Sequence, residues 1–223
     1  AHAALRAPVL ADSNRKIPAA GLRALMRDAL QAQPGFVWLQ AANALVQFTA
    51  FTVPLCMPYL LMRVHQMNPL TSGAFLSWWA LGVLAGSALL ERLARHWPVP
   101  RLVLASGLGV ALGLALVAGA ATVHGPWALV ALACSVIVQG VALGLFQVAY
   151  SDGVVQGLPP SARGVAGSLT IVTRTVGVMT GAVVWLAMLG GAPGSPGVFV
   201  AIYLVAATLC VAGFALAARR LGD

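Results

Sequence analysis

LVLASGLGVALGLALVAGAATV, Leu102–Val123, runs for 22 positions without a charged residue or a proline. At 1.5 Å of rise per residue, a helix of about 20 residues crosses the roughly 30 Å hydrocarbon core of a bilayer. Five comparable runs flank this one, at Phe36–Met62, Gly73–Leu90, Trp127–Tyr150, Gly164–Leu189 and Val198–Ala218. The whole chain is 60% hydrophobic and only 8% charged, too apolar for a water-facing surface. These runs are too long and too uniform for the alternating strands of a membrane barrel, so every backbone group must be satisfied within helices. The sequence therefore predicts an all-α integral membrane fold of six transmembrane helices.

Cytoplasmic loops retain Lys and Arg during insertion, so counting them orients the spans. Arg6, Arg15, Lys16, Arg23, Arg27, Arg92, Arg95, Arg101, Arg163, Arg219 and Arg220 fall on one side; Arg63 falls on the other, and Arg174 lies within the fifth span. Both termini are expected in the cytoplasm, which an even number of spans allows. The net charge of +8 reads as this bias plus attraction to anionic membrane lipid. Nucleic acid is not expected as a partner, because the charges sit in separate membrane-bounded loops.

Residues 1–35 read as a cytoplasmic linker punctuated by Pro8, Pro18 and Pro34. Leu22, Leu25, Met26, Ala29 and Leu30 recur at helical spacing there, as in an amphipathic helix on the membrane face or a connector between two membrane halves. The segment is too polar for a signal peptide, and the chain begins with Ala, as an excerpt or a processed protein would. Cys56, Cys134 and Cys210 lie in apolar spans without paired spacing and read as small buried hydrophobes. His2, His65, His96 and His124 are scattered, with no ligand partner at i+3 or i+4, so neither metal nor cofactor is expected. No clustered carboxylates and no nucleophile with a base suggest an enzyme.

Polar residues inside spans carry more information, since each needs a partner from protein or cavity water. Gln40, Asn43 and Gln47 share a face of the first span, which Pro54 and Pro58 continue and bend. Gly140, Gly144, Gln147 and Ser151 share a face of the fourth, with Tyr150 and Asp152 at its cytoplasmic end. Such stripes serve either a ligand or hydrogen bonds between helices. On the fifth span Gly167, Thr170, Arg174, Gly177 and Gly181 form a small, polar face, with Gly177 and Gly181 making a GxxxG contact. Arg174 lies roughly 15 Å deep by helical rise, where a charge costs at least about 2.5–3.5 kcal/mol on insertion scales. It therefore faces protein or water, as a functional group or as a clamp between helices. The acids are Asp12, Asp28, Glu91, Asp152 and Asp223, none at mid-span, so its counter-ion is a carbonyl, a substrate anion or an acid of another chain. Spans one and four carry Gln and Asn while three and six do not, which suggests two inverted three-helix repeats.

Gly144-Leu-Phe-Gln147, then Leu158-Pro-Pro-Ser-Ala-Arg163-Gly164-Val-Ala-Gly167-Ser168, then Arg174 and Gly177, resemble a loop and penultimate helix of the major facilitator superfamily. Asn68-Pro-Leu-Thr-Ser-Gly73 is a second point of likeness. Ser87-Ala-Leu-Leu-Glu91-Arg92-Leu-Ala-Arg95 is a third, similar to that superfamily's loop motif with Ala94 where Gly is usual. From about Pro34 onward the chain looks like the carboxy-terminal six-helix half of a fourteen-helix drug:proton antiporter.

That resemblance implies a multidrug efflux transporter of the bacterial inner (plasma) membrane, moving small lipophilic or cationic compounds by alternating access. Spans one, two, four and five would line its cavity. Gln40, Asn43, Gln47, Trp78, Trp79, Gln147 and Arg174 become the candidate substrate-binding residues, although the tryptophans also suit packing at a lipid interface. Glu91, Arg92 and Arg95 become a conformational loop, and Gly167, Gly177 and Gly181 the helix-packing positions. The missing partner is an amino-terminal six- or eight-helix half, or a second copy. The competing reading is a non-transporting six-helix scaffold that assembles with another membrane protein.

Overall fold

The structure is a computed structural model that describes residues 35–156, 158, 163–191 and 195–222, those from 217 onward by backbone alone. Apart from Gly35, the expected linker lies outside the described residues. Seven helices follow in order: α1 Phe36–Ala50, α2 Thr52–Arg63, α3 Pro69–Leu93, α4 Val99–Ala120, α5 Ala128–Gln156, α6 Arg163–Gly191 and α7 Pro196–Gly222. Because α2 continues α1, they supply six helices long and apolar enough to cross a membrane, and the described residues contain no strand.

Local chemistry explains the boundaries that differ from the hydropathy reading. α3 starts at Pro69 instead of Gly73, since Asn68 accepts from the Thr71 amide at 2.8 Å and Pro69 at the first helical position lacks an amide to orphan. α4 ends at Ala120 instead of Val123. The chain turns there through Thr122, whose hydroxyl donates to the Gly119 carbonyl at 2.7 Å, and through Gly125, whose φ of 87° favours glycine. α5 runs on past Tyr150 to Gln156. The first span is interrupted at Phe51. Pro54 and Pro58 bring no N–H, so the carbonyls four residues earlier lose their helical donors and the helix yields between them.

Neighbours form an open series. α3 packs on α5, α5 on α4, α4 on α7, α7 on α1 and α1 on α6, which leaves α3 and α6 at the two ends. α2 leans on α3, while α1 and α6 touch α5 only lightly. Val46, Met57 and Leu60 of the first span meet Leu114 of α4, Phe146 of α5 and Phe199 and Ile202 of α7 in the buried core. Lipid tails offer no hydrophobic drive for association, so small residues that admit close approach decide which faces meet. α3 buries only Ser72, Gly82, Gly86 and Leu90, and α6 only Ala166, Gly177, Gly181, Trp185 and Leu189. The outward faces of α4 and α7 are aliphatic, with Leu108, Leu112 and Leu116 on one and Leu204, Val205 and Leu209 on the other. Cys56 and Cys210 are buried, but Cys134 is exposed, contrary to expectation. It shares the outward face of α5 with Val130 and Val138.

Candidate functional site

Three helices meet at a buried polar junction. The Tyr150 hydroxyl of α5 donates to Gln40 Oε1 of α1 at 2.8 Å and lies 3.1 Å from Thr170 Oγ1 of α6. Thr173 Oγ1 reaches the same Gln40 oxygen at 2.9 Å, and Asn43 Nδ2 donates to Thr173 Oγ1 at 3.1 Å and to the Thr170 carbonyl at 3.3 Å. The α-helical steps from Gln40 to Asn43 and from Thr170 to Thr173 stack these groups one turn apart on facing helices. Gln40 and Asn43, on a stripe read as serving either a ligand or hydrogen bonds between helices, face α6 and are engaged there, because amide groups buried away from water take the nearest hydroxyls and carbonyls. Of the junction's side-chain polar atoms, Gln40 Nε2 is left buried without a partner among the described residues. Thr173 was not legible as a member, and Tyr150 was placed only at a helix end.

One turn further along the same seam, α1 and α6 come into backbone contact. A Cβ on Gly177 would collide with the Ala44 carbonyl and lie 3.1 Å from Gln47 Cβ, and one on Gly181 would lie 2.8 Å from the Phe48 carbonyl. That Phe48 carbonyl also accepts from Trp185 Nε1 at 2.8 Å, and the two rings pack at 4.9 Å. Gly167, expected in the same contact, is exposed with open space where its Cβ would be, because it faces away from the packed side that buries its neighbour Ala166. Gln47 is 5% exposed, and its side chain has no hydrogen-bond partner among the described residues. Arg174 is exposed, and no described residue accepts from it. The exposed surface of α6 is mixed: Ile171, 66% exposed, stands one turn from Gly167, Arg174 and Thr175, and Val172, Val176, Met179 and Val183 continue the apolar part beside them.

A second seam joins α3 and α5. Trp79 Nε1 donates to Gln139 Oε1 at 2.6 Å, while Gln139 Nε2 is buried and unpartnered. Past this bond Gly82 and Gly86 interlock with Gly140 and Gly144: a Cβ on Gly86 would strike the Val141 carbonyl, and one on Gly144 the Val83 carbonyl. Gln139, Gly82 and Gly86 escaped the sequence reading, although a Gln in an apolar run beside a GxxxG pair is the kind of signal that finds such a joint. Trp78 is 49% exposed, and Gln147 is half-buried, away from the Gln40 junction's hydrogen bonds. Glu91, Arg92 and Arg95 are all exposed, with no ion pair among the described residues.

On the opposite side of the bundle, partial burial holds His65 below its ordinary pKa, and the nearby charge of His124 adds to the shift. No three metal-ligating side chains come together among the described residues. Among the described residues the two seams hold amides, hydroxyls and an indole N–H, and the exposed surface of α6 adds one guanidinium. The chain matches no protein-family model and no curated protein.

Proposed function

We propose that this chain is half of a secondary active transporter of the major facilitator type, built from two inverted three-helix repeats with both termini cytoplasmic. It exports small lipophilic or cationic compounds by proton antiport and alternating access, in a bacterial inner membrane. One observation carries the reading. A shift of 95 residues takes Gly82 and Gly86 of α3 onto Gly177 and Gly181 of α6, and a shift of 96 takes Ala44 and Phe48 of α1 onto Gly140 and Gly144 of α5. The same shift of 96 takes Asn43 onto Gln139, the amide that bonds across each seam. The two seams are therefore equivalent joints. Exchanging the first three spans with the last three also carries the order of neighbours onto itself. Repeats of this kind, rocking about a site between them, are a common plan of transporters.

α3 and α6 stand at the ends of the series with most of their surface uncovered, which suits a second half docking across them. The test is efflux of a fluorescent lipophilic compound from proteoliposomes with an imposed pH gradient, comparing the chain alone with the chain joined to an amino-terminal half. Export only by the joined form supports the proposal; export by the chain alone indicates a homodimer. No export by either favours the scaffold reading, which the engagement of Gln40 and Asn43 between helices also suits.

A further inference from the structure

We infer that Arg174 and Gln47 form a receptor for the acidic headgroup, a carboxylate or sulfonate, of an amphiphile that reaches this half from within the membrane. The inference rests on the transporter reading above and narrows its substrates, because the part of the molecule that meets this half is an anion and not a cation. Four observations converge on it. Arg174 sits mid-helix on the exposed surface of α6, one turn from the exposed Ile171, so that a charge lies beside an apolar surface. Its guanidinium has no acceptor among the described residues. The described carboxylates are Glu91 and Asp152, both near the ends of their helices. Gln47 is more than nine-tenths buried and its amide has no partner among the described residues, which leaves a second donor at the same seam.

Gln47 and Arg174 lie within one helical turn of each other in height along α6. Gln47 Cβ adjoins Gly177, and Arg174 precedes Gly177 by three residues, one turn along the same helix. Below them Gly167 and Gly164 leave open space, so a bulky tail can approach without a steric stop. A guanidinium presents paired N–H groups to a carboxylate or sulfonate, and an amide N–H beside it completes the set of donors. The same pair of donors gives a cation no acceptor charge to pair with and adds like-charge repulsion, which is greatest where water is scarce.

The experiment compares three probes that share one fluorophore: pyrenebutyrate, pyrenebutanol and pyrenebutyl-trimethylammonium. Binding is read as saturable energy transfer from the protein's tryptophans in phosphatidylcholine nanodiscs, after subtraction of partitioning into empty discs. Pyrenebutyrate is expected to bind at least about tenfold tighter than the alcohol, as one charge-assisted hydrogen-bond set allows. Arg174→Gln should abolish that preference, Arg174→Lys should keep part of it and Gln47→Leu should weaken it, with helix content and monodispersity unchanged. Equal binding of the three probes, or a preference that survives Arg174→Gln, overturns the inference. A preference that disappears when the chain is joined to its second half assigns the guanidinium to a carboxylate of that half, and overturns it too. Export by the joined form with no such preference would remove the anion receptor and leave the transporter. A preference that tracks Arg174 in a joined form that exports nothing would do the reverse.

Discussion

Tyr150 donates to Gln40 Oε1 at 2.8 Å, and by that bond α5 is tied to a first span it otherwise touches only lightly. The oxygen is shared, because Thr173 reaches it at 2.9 Å from α6. The junction is thus a three-way tie in which each donor's worth depends on the other.

Tyr150→Phe and Thr173→Val should each lower stability by about 0.5–1.5 kcal/mol, the range for hydrogen bonds between membrane helices. In a chain of this size that is a fall of a few degrees in apparent Tm in detergent or nanodiscs. The double variant should lose less or more than the sum, since both donors serve one acceptor. Strict additivity would argue against a shared tie.

Glycine substitutions should separate sharply by position. Gly144→Ala puts a methyl into the Val83 carbonyl, where only backbone can yield, and should cost on the order of 1–3 kcal/mol and loosen the α3–α5 seam. Gly167→Ala meets nothing and should be neutral or slightly stabilising, by up to about 1 kcal/mol of helix propensity. Thermal melts of both variants would check the contrast.

Trp79→Phe removes the one donor to Gln139 Oε1 and leaves the whole amide buried without a partner. A loss of about 1–3 kcal/mol is expected. Adding Gln139→Leu should recover much of it, because removing both partners leaves no polar group stranded. Failure of the second change to rescue the first would mean that Gln139 has another role.

His65 gives the pH dependence. Its folded pKa lies below its ordinary value of 6.5, so the unfolded chain binds the proton more readily than the folded one. Stability should therefore be fullest above the ordinary value, fall as pH drops from there toward the folded pKa, and level off beneath it. His65→Gln should flatten that slope in melts between about pH 8 and pH 5, and His124→Gln should reduce it by removing the neighbouring charge.

The spans were legible because length and apolarity are properties of a contiguous run, as Leu102–Val123 illustrates. The interruption at Phe51 was legible in kind from Pro54 and Pro58, since a missing N–H is a local fact. What a polar residue faces is not local. Gln40 and Asn43 stood out in the first span, yet their partners come from α5 and α6, more than a hundred residues away. Nothing within one helix separates a stripe that meets ligand from one that meets another stripe. Trp79 and Gln139 show the same limit across 60 residues, and Gly167 its converse, since it looks like part of the glycine face yet has nothing beside it while Ala166 next to it is buried.

Asn43 and its partner Thr173 stand 130 residues apart, so the order of synthesis bears on the first span. At roughly 5–20 residues per second a ribosome needs on the order of ten seconds to deliver α6 after α1 has emerged. Gln40 has no hydroxyl to meet until α5 brings Tyr150, Asn43 has none until α6 brings Thr173, and lipid cannot supply one. The insertion machinery must shelter the nascent first helix, or water must follow it in, until its late partner arrives. Slowing translation between Tyr150 and Thr173 should therefore increase degradation of the newborn chain more than an equal pause placed after α6.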